Sequence, residues 1–341
     1  MSIELYDTRT LLEAVKIMKS PQTFLRDTFF SDVDTFITEN VDVDFKKGKR
    51  KMAPFVAPRI GGVVMDRQGF KTETYTPPKI APERIMSKDD ITNRAMGESV
   101  YSQRSPEERA RELIADDLIE LDEYITRREE WMCREVLLNG KVIITSEGAE
   151  QQIDYGFTNK EALTSTDVWS DTDNSTPYAD LKEKRREIIQ KTGRAPKIAV
   201  LGYNAWELFA AHPDTKTKLD TMRLNLGNIE PSVQSPSLTF LGKLQELNLE
   251  LYTYDEWFLD DNGDEQPMIP ANTVVMGSQG MNRRFYGAVT QLEDSGFVTI
   301  EGEKVPKIWN DKNNDVRKIR LTSRPLPVPK DVDSWYVLEV N

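Results

Sequence analysis

Residues 105–138 constrain this chain more than any other stretch, because they demand a helix too long for a small core to cover. Ser105 stands at the N-cap, Pro106 at the first helical position, and Glu108 completes a capping box. Ala110, Leu113, Ile114, Leu118, Leu121, Tyr124, Ile125, Met132, Val136 and Leu137 follow, mostly three or four apart. Asn139-Gly140 supplies the stop. At about 1.5 Å per residue the helix runs roughly 50 Å, beyond the usual globular length. The opposite face carries Glu107, Arg111, Glu112, Asp122, Arg127, Arg128 and Glu130. Such a helix is a coiled-coil arm or a spine on which other parts hang.

The segments before it are extended. Residues 1–40 read as a short helix and an arm, with Ser20-Pro21 breaking the first apolar-periodic stretch. Phe24, Leu25, Phe29 and Phe30 are strongly apolar for an exposed region. They need either a partner surface or a place in the chain's own core, and the pattern leaves both open. Residues 36–58 alternate like a hairpin: Val41, Val43 and Phe45 face one way, Asp42, Asp44 and Lys46 the other. Lys47-Gly48 is the turn, and Met52 to Val56 the return. In a strand Asp42 and Asp44 share the solvent face, which explains their spacing without a metal.

Residues 59–86 predict a second two-stranded excursion. Val63, Val64 and Met65 lead to a turn at Arg67-Gln68-Gly69, and Thr72, Thr74 and Thr76 alternate with Glu73 and Tyr75. Pro77, Pro78 and Pro82 stiffen the exit. An isolated hairpin is marginal in water, so this one should lie on something else.

Beyond the long helix, 141–176 is polar, with short strands in a loop region around Trp169. An α/β pattern follows: a helix from Pro177 to Lys191 ending at Gly193, a buried strand Lys197 to Leu201, and a helix from Asn204 carrying Trp206, Leu208 and Phe209. Residues 237–300 read as all strand, with Leu249 to Tyr254 and Asn272 to Met276 flanking a turn-rich loop, Asp260 to Glu265. Strands continue through Trp309 and Arg317 to Leu321, then the run Pro-Leu-Pro-Val-Pro, then a closing strand Ser334 to Val340.

Little here points to catalysis. The single histidine, His212, and the single cysteine, Cys133, make a zinc site improbable. His212 is the one candidate base for a serine or cysteine nucleophile, but Ala-His-Pro-Asp after an amphipathic helix reads as a helix end and turn. Asp260 to Glu265 does not match a calcium loop, and Asp261-Asn262-Gly263 between strands is a hairpin turn. The chain carries no phosphate loop, nucleotide fingerprint or nucleophile elbow, and no cofactor is expected. A formal charge of −12 argues against tight nucleic-acid binding. The start lacks a signal pattern and no run is long enough to span a membrane, so a soluble protein, cytoplasmic at synthesis, is expected.

Residues 24–97 carry a familiar order. Phe-Leu-Arg-Asp-Thr-Phe-Phe is followed by a strand with the small-residue run Met52 to Pro58, a glycine step, a polar hairpin, a Thr-rich strand ending in prolines, and then the long helix. This resembles the major capsid proteins of lambda-like phages, the capsid protein E family. Val136 to Lys141, the stretch Ile198 to Phe209, the segment Lys218 to Arg223, Pro270 to Ser278 and the close from Arg324 to Val340 extend the likeness over nearly the whole chain. No one motif is strong alone; the ordered set is.

The resemblance implies an α+β chain with the HK97-type capsid fold. Residues 1–40 would be the N-terminal arm, 41–56 strands of the peripheral domain, and 57–85 the extended loop lying across a neighbouring subunit. Residues 86–176 would belong to the peripheral domain with its spine helix 105–138, 177–300 would form the axial domain, and 301–341 would return to the peripheral domain. Contacts between subunits are then expected at Phe24, Phe29 and Phe30 of the arm and at Arg67, Phe70, Lys71 and Tyr75 of the loop. The implied role is a structural, non-enzymatic subunit of the virion capsid. It would form hexameric and pentameric capsomers of an icosahedral head, with scaffold and portal proteins as partners, and would enclose DNA without reading its sequence. Lys71 and Lys79 lie on the loop, but the lambda-like group implies decoration proteins rather than crosslinking. An encapsulin-like nanocompartment shell is the alternative that shares the fold; a soluble enzyme would require a polar pocket to which nothing in the sequence points.

Overall fold

The computed structural model describes residues 23–45, 71–92, 105–146, 149–216, 232–260, 262–293 and 296–341. The expected turn at Lys47-Gly48, the return strand Met52 to Val56 and the loop turn at Arg67 to Gly69 lie outside them. The chain divides into two compact units, the first built from 1–41, 76–136 and 283–328, the second from 42–75, 137–282 and 329–341.

The first unit is organised by the long helix, which runs Pro106–Asn139, with its last turn assigned to the second unit. Its capping box forms as expected: the Ser105 N–H donates to Glu108 Oε2 at 2.8 Å, and the Glu108 N–H to Ser105 Oγ at 3.3 Å. Ala110, Ile114, Leu118, Leu121 and Ile125 bury one stripe against Met86, Ile319 and Leu321. Those three come from an antiparallel sheet of Glu83–Met86, Val316–Thr322 and Val305–Asp311. Residues 83–85, placed in the extended loop by sequence, are therefore part of this sheet. A second sheet pairs Asp32–Thr35 in parallel with Asn282–Tyr286, and Pro325–Pro329 lies on the other side. The Pro-Leu-Pro-Val-Pro run forms an edge strand, the position where missing N–H donors interrupt no ladder. A hairpin of Val289–Glu293 and Gly296–Ile300 completes the unit.

The second unit is built on a seven-stranded mixed sheet. Its order is Lys160–Ala162, Tyr336–Glu339, Thr273–Gly277, Ile198–Leu201, Leu249–Tyr254, Leu238–Leu244 and Ser232–Ser235. Ile198–Leu201 is central and wholly buried, as its continuous apolar run predicts. Helices Pro177–Thr192 and Tyr203–Ala211 contribute Tyr178, Leu181, Ile188, Ala205 and Phe209 to a core with Trp169, Leu251, Met276 and Leu338. Gly193, with φ of +78°, ends the first helix where the sequence placed its stop. The closing strand differs from expectation: Tyr336–Glu339 pairs antiparallel with Thr273–Gly277, so 329–341 lies with the second unit rather than with 301–328. Just before it, Trp335 donates to the Leu137 carbonyl at 2.8 Å and stacks on Phe157, which uses one of the unpaired carbonyls at the end of the long helix.

Val41–Phe45 pairs with Lys71–Tyr75 in a two-stranded sheet. The alternation read from sequence holds where it is described, with Val41 and Val43 buried and Asp42 exposed.

Candidate assembly elements

The arm is fastened to the long helix by two buried carboxylates. Glu130 accepts the Leu25 N–H at 2.9 Å and the Arg26 N–H at 2.8 Å, so an anion sits at the start of the short helix Phe24–Phe29. Glu129 Oε2 lies 3.1 Å from the Arg26 guanidinium and 3.1 Å from the Tyr286 hydroxyl that donates to it. Arg284 in turn donates to the Phe30 carbonyl at 2.9 Å. Burial, with the Glu129 charge beside it, holds the Tyr286 phenol protonated well above its ordinary range. Asp122, two turns earlier, pairs with Lys304, which also donates to Thr126 Oγ1 at 2.8 Å. The helical period placed Asp122 and Glu130 on the charged outer face. Both are buried, because cations and N–H donors from distant segments neutralise them there. Glu107, Arg111, Glu112, Arg127 and Arg128 are exposed as expected.

A second cluster holds the two legs of the 42–75 excursion. Arg324, buried, lies 2.9 Å from the Glu39 carboxylate on the outgoing leg. It also reaches the Pro77 carbonyl on the returning leg at 3.4 Å and the Ala288 carbonyl at 3.5 Å. The backbone completes the join: Gly287 N–H donates to the Arg324 carbonyl and Ala288 N–H to Thr38. Side-chain bonds link the legs directly, Thr76 Oγ1 to Asn40 Oδ1 at 2.9 Å and Thr74 Oγ1 to Asp42 Oδ1 at 2.6 Å. The Arg324 hydrogen bond, followed by one from Thr290, holds the Glu39 carboxyl below its usual range.

Two hairpins expose apolar faces that the sequence reading did not single out. Leu292 and Phe297 stand opposite each other in register, 55% and 80% exposed. Trp257 and Leu259 share one face of the Trp257–Leu259 strand. The loop after that strand is the expected turn, with Asp260 Oδ1 accepting the N–H groups of Asn262 and Asp264.

His212 ends the helix Tyr203–Ala211, and its imidazole is buried. Nδ1 accepts the Asp214 N–H at 3.2 Å, which leaves Nε2 as the donor to Ser175 Oγ at 3.2 Å. Ser175 Oγ donates to the Asp171 carbonyl at 2.6 Å. The imidazole therefore gives Ser175 a proton rather than taking one, which is opposite to an activated nucleophile. Among the described residues, no group of three His, Cys, Asp or Glu side chains could hold a metal ion. No helix among them is long and apolar enough to cross a membrane.

Of the residues expected at contacts between subunits, Phe29 and Phe30 are fully buried within the chain, which is the own-core alternative left open for the arm. Phe24 is half-buried and meets Phe29 edge-on. Tyr75 is half-buried, with its ring 5.9 Å from that of Tyr155. Lys71 begins a strand, and Arg67 and Phe70 lie outside the described residues.

A long helix backed by a small sheet, a mixed sheet with two helices, and a two-stranded excursion make up an α+β chain of the HK97-type capsid fold. The fold is similar to that of the putative capsid protein of an Escherichia coli CFT073 prophage, with TM-score 0.72, 20% identity, and 98% of this chain and 99% of that one covered. It is also similar to a phage-related protein of Bordetella bronchiseptica RB50, with TM-score 0.56, 12% identity, and 98% and 97% covered. The phage major capsid protein E family model matches residues 7–340, and the chain belongs to that family. It is 25% identical over 344 residues to the major capsid protein of Escherichia phage lambda, covering 99% of this chain and 100% of that one. It is 24% identical over 344 residues to the major capsid protein of Enterobacteria phage P21, covering 99% of each. Its role is that of a major capsid protein of a phage head.

Proposed function

We propose that the chain forms hexameric and pentameric capsomers of an icosahedral head that encloses double-stranded DNA. It assembles in the bacterial host cytoplasm, with scaffold and portal proteins and a decoration protein as partners. The long helix is the spine of the peripheral domain, and the seven-stranded sheet with its two helices is the axial domain. The extended loop, whose returning strand is Lys71–Tyr75, reaches a neighbouring subunit through Arg67, Phe70, Lys71 and Tyr75, and Phe24 extends the arm's contact. Phe29 and Phe30 anchor the arm in its own subunit. A net charge of −12 suits a container that holds DNA without gripping it.

The observation that carries this reading is the excursion itself. Among the described residues its two strands pair only with each other, and both legs are tied down at Arg324. A ribbon so rooted, and marginal by itself, is built to be completed by another surface. Deleting Arg67 to Lys71 tests it. The subunit should fold with an unchanged circular dichroism spectrum and give no stable shells. Shells like those of the wild type from that deletion would contradict the loop assignment.

A further inference from the structure

We infer that Arg324 is a positioning residue for assembly: one guanidinium clips the outgoing and returning legs of the excursion together, and the Glu39 carboxylate is the arm of the clip that can be released. The inference rests on the loop's proposed role and names the residue that sets it up. Three observations converge. Arg324 bonds to Glu39 on one leg and to Pro77 on the other, so each leg's position constrains its partner. A planar guanidinium suits this because its donors point in fixed directions toward separate acceptors. Gly287 lies where both legs pass: a Cβ there would stand 2.9 Å from the Glu39 carbonyl oxygen and 3.3 Å from Pro77 Cγ. Directly beyond the clip, Asn40 with Thr76 and Asp42 with Thr74 form the first two cross-leg pairs. The clip thus fixes which residues face each other as the ribbon starts, and a one-residue slip would turn the side chains of Val41–Phe45 or Lys71–Tyr75 to the other face.

The contacts are unequal in burial. The Arg324 side chain is 11% exposed and the Glu39 side chain 51% exposed. Glu39 can therefore be neutralised without emptying a core site, which makes Glu39→Gln the clean probe. Arg324→Lys keeps the charge and removes the fork.

The test joins amide hydrogen exchange, read by mass spectrometry on the unassembled full-length subunit, with shell yield and shape by sedimentation and negative-stain microscopy. In Glu39→Gln, exchange over 38–42 and 74–76 should speed up roughly tenfold, the remainder should keep wild-type rates, and normal shells should become rare. Arg324→Lys should do the same. Wild-type exchange at both legs in the two variants overturns the clip. Faster exchange at the legs with normal shells overturns its positioning role. If the wild-type chain itself gives no shells, the assembly reading fails, a result distinct from shells that form equally well from the variants.

Discussion

Arg26 and Glu129 face each other 3.1 Å apart, guanidinium to carboxylate, with side chains only 10% and 2% exposed. This buried pair, together with the two backbone N–H groups held by Glu130, attaches the arm to the long helix. A buried pair is not a large net gain over apolar packing, but breaking it from one side strands a charge. Arg26→Ala should therefore cost about 3–5 kcal/mol, read as a lower urea midpoint at unchanged slope. An effect below about 1 kcal/mol, the range of surface pairs, would mean that Arg284, 3.9 Å from the same carboxylate, or water takes over the charge of Glu129.

Gly140 and Gly156 both adopt left-handed conformations, with φ of +65° and +68°, yet they should respond differently to alanine. A Cβ on Gly140 would lie 2.0 Å from Phe157 Cβ, whereas nothing lies within 4 Å of one on Gly156. Gly156→Ala should cost about 1–2 kcal/mol for the backbone alone. Gly140→Ala must also displace Phe157 from Trp335 and should exceed about 4 kcal/mol. Equal melting temperatures for the two variants would contradict this.

Cys133 should be inert in the native subunit. Burial pushes its thiol well above the ordinary range, with the nearby Glu130 charge adding to the shift, and only 1% of the residue is exposed. A maleimide should label it only after denaturant is added. Rapid labelling of the folded chain would show that the arm region opens.

The turn after Val305–Asp311 carries an acid-sensitive carboxylate. Asp311 is held down at about 2, first by the Asn314 amide, then by Lys318 and the N–H groups of Asn313 and Asn314. Its folded value lies below the unfolded value of 3.8, so its stabilisation is complete above that value and is lost as pH falls toward 2. The melting-temperature gap between wild type and Asp311→Asn should stay constant from neutral pH down to roughly 4.5 and close between about 4 and 2. A gap as wide at pH 2.5 as at pH 7 would contradict the assignment.

The sequence made local structure legible and long-range partnership opaque. The long helix was readable to within a residue, because its period lies within it and its cap and stop glycine stand directly at its ends. The same holds for Gly193, for the buried run Ile198 to Leu201 and for the turn at Asp260. Val41–Phe45 and the Thr-rich stretch at Lys71–Tyr75 were each recognisable as strands, but not as partners of one another, since alternation fixes a strand's face and not its neighbour. Asp122 and Glu130 were misplaced for a related reason: helical period shows where charge falls, not that Lys304 or the Leu25 and Arg26 N–H groups come to meet it. Arg324, surrounded by prolines and serine in a closing segment, carried no signal at all; its role exists only where Glu39, Pro77 and Ala288 come together. For the arm, aromatic content showed that Phe29 and Phe30 must be covered, and only the fold showed that their own subunit covers them.

The central claim is that this chain is a shell subunit. It is tested most directly by expressing the full chain alone and with its neighbouring scaffold and portal genes, then measuring particle size by sedimentation and negative-stain microscopy. Shells, tubes or capsomer-sized rings are the predicted result. A well-behaved monomer under both conditions would contradict it.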